Sequence, residues 1–90
     1  MTITPVAPVN VGGKLKLLTG TWVQTAGGAD GSLALAGGQV LLAAFDNNDT
    51  RTVPGSGLPT WSYAYSAGII TLTVKARDAV TAGVFSILYL

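Results

Sequence analysis

Cysteine, histidine and glutamate are missing from this chain altogether. Without cysteine there is neither a disulfide nor a thiolate metal site, so packing and hydrogen bonding must carry the fold, and redox chemistry says nothing about its compartment. Without His, Cys or Glu the usual general bases and activated nucleophiles are gone; aspartate, tyrosine, lysine and serine remain. The expectation is a protein that is not an enzyme and that uses no cofactor and no metal. Charge is scarce as well: 10% of residues are charged and the net charge is +1, against about 25% in an ordinary soluble chain. So little colloidal repulsion favours association. The five cations, Lys14, Lys16, Arg51, Lys75 and Arg77, are scattered and form no basic stripe, which argues against nucleic acid as a partner. The longest apolar run, Val40 to Phe45, falls far short of the ~20 residues of a membrane-spanning helix, so no membrane partner is expected. The opening Met1-Thr2-Ile3-Thr4-Pro5 lacks the basic and apolar regions of a secretory signal, so secretion by that route is not expected.

What is present is strand and turn. The 90 residues suffice for one domain and one core. Residues 1–12 interleave Pro5 and Pro8 with Ile3, Val6, Val9 and Val11. Proline cannot donate to a central ladder, so this is read as an extended N-terminal arm or edge strand, with 13–90 as the sandwich domain. An apolar arm without a partner in its own chain would add to a neighbour's sheet through Ile3, Pro5, Val6, Pro8 and Val9. After Gly12-Gly13, residues 14–25 read as a long strand, with the doubled Leu17-Leu18 and Gly20 expected to bulge or bend it. Trp22 is expected to plug the core and find a carbonyl for its indole N–H.

Asp30-Gly31 signals a hairpin turn, Ser32 to Ala36 a short strand, Gly37-Gly38 a second turn, and Gln39 to Phe45 an apolar central strand. Leu and Ala would also suit a helix over 32–45, but the paired glycines oppose it. Asp46 to Asp49 reads as a turn, and residues 54–59 as a loop of breakers. Thr60 to Ser66 alternates, placing Trp61, Tyr63 and Tyr65 on one face. From Ala67 onward the pattern suggests a terminal hairpin: Ile70, Leu72 and Val74 point one way, and the nearly all-apolar Val84 to Leu90 is expected to be covered on both faces. Turn signals every 8 to 12 residues or so imply an all-β fold, an antiparallel β-sandwich of roughly six to eight strands, with a small β-barrel as the alternative.

Chemical motifs fail on inspection. Ser56 in Gly55-Ser56-Gly57 lacks the flanking spacing of a nucleophile elbow, where Pro54 and Leu58 stand instead. Asp46-Asn47-Asn48-Asp49-Thr50 begins like a calcium loop, but Arg51 and Gly57 occupy the places of its essential Gly and Glu. Gly12-Gly13-Lys14 lacks the first glycine and the following helix of a phosphate loop. The row Trp61, Tyr63, Tyr65 is left as the one candidate ligand platform, able to stack on sugars if it is neither core nor subunit interface.

At Gly20-Thr21-Trp22, the Gly-rich turn from Gly27 to Gly31, and the segments Gly68 to Val74 and Gly83 to Tyr89, the chain resembles small virion proteins of tailed bacteriophages. It is similar in style to the capsid decoration or cement proteins that sit on the outside of a head. The resemblance implies a structural protein, made in the host cytoplasm and located on the capsid surface of the virion. It would form a homotrimer or homodimer and partner the major capsid protein through its arm and loops. The alternative is a carbohydrate- or receptor-binding module of a phage tail, or a tail or connector component, with glycan as the partner of the aromatic row.

Overall fold

The computed structural model describes residues 1–24, 29–47, 59–75 and 81–90. They form eight strands and no helix: β1 (Thr2–Pro5), β2 (Val9–Gly12), β3 (Leu15–Gln24), β4 (Gly31–Ala36), β5 (Val40–Asn47), β6 (Thr60–Ser66), β7 (Ile69–Lys75) and β8 (Thr81–Tyr89). Two antiparallel sheets pack face to face. The first has the order β1-β3-β8-β5, with β2 also on β3; the second has the order β4-β7-β6. This is the expected all-β sandwich, and among the described residues the sheets do not close into a barrel.

Alternation decides what the sheets share. From the first come Leu18 and Trp22 of β3, Val40 and Phe45 of β5, and Phe85, Ile87 and Tyr89 of β8; from the second, Leu35, Ile70, Leu72 and Val74. Within each strand these are period-two positions, except that Val40 reaches the face of Phe45 through the irregularity between Val40 and Leu42, and burying each such side chain stabilises the fold by roughly 1.5–3 kcal/mol. Phe45 and Phe85 stack across the β5–β8 ladder with centroids 5.6 Å apart. Trp22 is fully buried and its Nε1 donates to the Asp46 carbonyl at 3.0 Å, as expected of a core indole.

Several local expectations are corrected. The segment 1–12 has a partner in its own chain: β1 pairs with β3 from Thr2↔Val23 to Pro5↔Gly20, and β2 from Val9↔Leu17 to Gly12↔Leu15. The Val6 N–H donates to Thr19 O at 2.8 Å between them, so 2–12 is one edge strand broken where the prolines cannot donate. β3 carries no bulge against β8; its register runs unbroken from Lys16↔Tyr89 to Gln24↔Thr81. Gly20 is needed instead for close approach, because a Cβ there would meet the Thr4 carbonyl and lie 2.7 Å from the Phe85 ring. The irregularities lie in β2, between Asn10 and Gly12, and in β5, between Val40 and Leu42.

Asp30-Gly31 does not close a hairpin, since β3 and β4 belong to different sheets. Gly31 is buried under Met1 and Ile3, whose side chains stand 2.8 Å from where its Cβ would be. Nor are β7 and β8 a hairpin: the chain crosses from one sheet to the other between them. Besides the β2–β3 hairpin, β6–β7 is a hairpin turned by Ala67 and Gly68 with φ of 52° and 82°, the two positive values of a primed turn. β5 is an edge rather than a central strand, and its bulge leaves Leu41 and Leu42 exposed. β8 is central but covered on one face only; Val84 and Ser86 on the other are exposed. Leu90 stays 38% exposed while its N–H donates to Gln39 O at 2.9 Å.

Candidate functional site

The aromatic row lies where the alternation of β6 puts it. Trp61, Tyr63 and Tyr65 pair with Val74, Leu72 and Ile70 of β7, so they share the face that β7 turns toward the first sheet. The β7 residues have no exposed surface; Trp61, Tyr63 and Tyr65 keep 38%, 40% and 57% of theirs. The row is therefore inward in register but exposed, and among the described residues β6 is the outer strand of its sheet. Trp61 and Tyr63 are stacked, with centroids 6.4 Å apart and planes 20° from parallel.

Among the described residues, the strand carrying the row has an undefended edge. Proteins blunt free edges with proline, charge or bulges. The β1–β2 edge has Pro5, Pro8 and a bulge. β5 has a bulge and Asp46. β4 is flanked by Met1, whose terminal amine donates to Ala29 O, and by Lys16, whose Nζ donates to Ala36 O at 3.4 Å. β6 has none of these: its seven residues are all exposed, none is charged, Pro or Gly, and its register with β7 is unbroken.

The other site residues read from the sequence are spread out. Ile3 pairs with Trp22 and packs on the core, while Pro5, Val6, Pro8 and Val9 are exposed along the bent first edge. They are not brought together with the aromatic row. Ser56 and most of the calcium-like stretch lie outside the described residues, and among the described residues no group of three or more His, Cys, Asp or Glu is placed to hold a metal ion.

A second concavity had no sequence signal. A cleft of about 390 Å³ opens between the corner at residues 5–8 and strand β4. Its floor is Leu18, Leu33 and Leu35, and Lys16 and Tyr89 stand in its wall. The Lys16 ammonium lies 5.1 Å from the centre of the Tyr89 ring, within cation–π range. Burial pushes the Tyr89 hydroxyl above its ordinary value of 10.0. Its elements are distant in sequence and adjacent only once the sheets pack, so no local pattern could have marked it.

No protein-family model matches this chain, and neither the curated proteins nor the solved structures contain a match to it.

Proposed function

We propose that this chain is a structural subunit that works by association, a decoration protein of a tailed-bacteriophage head that assembles with copies of itself and docks on the major capsid protein. The observation that carries the reading is β6: an uncharged open strand edge with three aromatic side chains beside it that the chain's own core does not cover. Strand addition along β6 would satisfy its outward backbone groups and bury the row in one step. The exposed rings have the composition of an interface core, rich in aromatics and poor in charge. Sparse charge over the whole chain supports the same reading. The contact assigned to the N-terminal segment moves to β6 on this reading, because β1 and β2 already pair with β3. The test is mass by light scattering, alone and with expanded empty phage heads, for the natural chain and for Tyr63→Lys. The expected result is a homotrimer or homodimer that binds heads, and a folded monomer for the variant. A natural chain that is monomeric and ignores heads overturns the proposal.

One geometric feature favours a second reading, a glycan-binding module of a phage tail. Trp61 and Tyr63 stand nearly parallel on an accessible strand, as a platform for sugar rings would. Quenching of tryptophan fluorescence by polysaccharide, lost in a folded Trp61→Ala variant, would establish it; unchanged fluorescence would dismiss it.

A further inference from the structure

The cleft beside β4 is independent of the β6 surface and has its own chemistry. Among the described residues its lining is mostly apolar, Lys16 is its only charged residue and no acidic side chain lines it. The ammonium has a long 3.4 Å hydrogen bond to Ala36 O and the face of the Tyr89 ring, and no carboxylate partner in the wall. Although Tyr89 is only 2% exposed as a residue, its hydroxyl oxygen reaches solvent and makes no hydrogen bond to another described residue. Two hydrogen-bond donors in an apolar trough, with no acidic side chain among its described lining residues, complement an anionic head on an apolar body. The volume lies within the range of small-molecule sites.

We propose that this cleft binds a small amphipathic monocarboxylate, its carboxylate held by Lys16 and the Tyr89 hydroxyl and its apolar chain lying over Leu18, Leu33 and Leu35. The anion replaces the weak Ala36 contact with a charge-assisted hydrogen bond, and the chain lies against Leu33, the one of the three leucines that is only partly buried. A cation, or an uncharged molecule of the same length, loses the head-group interaction. The proposal concerns a different surface from the association reading and stands whether or not the chain assembles.

The test is an amide chemical-shift titration of the whole chain with sodium decanoate, kept below its micellar range, and in parallel with decanol. The expected result is saturable shifts confined to Val6, Ala7, residues 16–18 and 33–36, and Tyr89 with its chain neighbours, with decanol weaker by about tenfold or more, the worth of one charge-assisted hydrogen bond. Lys16→Met, at a half-buried position that leaves the core intact, should bring decanoate down to the level of decanol. Ala7→Trp, at the exposed corner, should close the trough to both. Absence of saturable shifts, equal binding of acid and alcohol, undiminished binding of decanoate by Lys16→Met, or shifts centred on residues 60–66 would overturn the proposal.

Discussion

β6 and β7 are neighbours in one ladder and carry the same alternation, yet they have opposite fates. Ile70, Leu72 and Val74 are sealed, while the paired Tyr65, Tyr63 and Trp61 on the same face stand in solvent. Among the described residues, β7 has a strand on either side of it and β6 has one. An alternating strand fixes which side chains share a face, but whether that face is core depends on what lies across from it. The apolar side chains on this one face are therefore divided between a closed interior and an open one-strand shelf.

The sharpest way to test this division is to make one substitution in both places. Trp22→Ala removes a fully buried indole together with its bond to Asp46 O and is expected to cost about 3–5 kcal/mol, enough to unfold a domain of this size, as read by urea denaturation. Trp61→Ala should cost no more than about 1 kcal/mol in the isolated chain and, on the association proposed above, should lower the mass seen by light scattering. Equal losses at the two sites would mean that β6 is core after all. The glycines give a second pairing. Gly20→Ala drives a Cβ against the Thr4 carbonyl and the Phe85 ring and should cost about 1–3 kcal/mol; Gly38→Ala, with nothing within 4 Å, should change stability by no more than about 0.5 kcal/mol.

The smallest effect concerns Tyr89, on the covered side. Its hydroxyl titrates above 10.0 in the folded chain because burial disfavours the phenolate. Above pH 10.0 the unfolded chain gives up this proton while the folded one retains it, so the unfolded state gains. The stability is complete below that pH and is lost as pH rises through the folded value. Thermal melts at rising alkaline pH should show Tyr89→Phe losing less stability than the natural chain. Parallel curves would place Tyr89 in a wetter site than its exposure indicates.

Local pattern carried the strands themselves. The alternation in 69–75 and 60–66, the proline-broken first edge and the role of Trp22 were all legible, because each depends on period-two geometry or on a single side chain's chemistry. Pairing was not. Asp30-Gly31 has the composition of a hairpin turn but leads from one sheet to the other, and β7 and β8, adjacent in sequence, belong to opposite layers. A glycine's freedom at a turn and its lack of bulk beneath a neighbour leave the same letter in the sequence; Gly20 and Gly31 serve the second need. Of the candidate site, the common face of Trp61, Tyr63 and Tyr65 was visible, and its exposure was not. The cleft was not visible at all, since Lys16, Leu35 and Tyr89 meet only across both sheets.

The sequence by itself determined an all-β chain held by one core, without thiol chemistry, the common acid–base side chains or a strong field, because residue type and alternation act locally and composition limits what any fold can do. The tertiary structure alone decided which strands became neighbours, which edge was left undefended and which apolar face found no cover. Those outcomes depend on packing between segments far apart in the chain, where the best burial of the whole overrides the preference of any one turn.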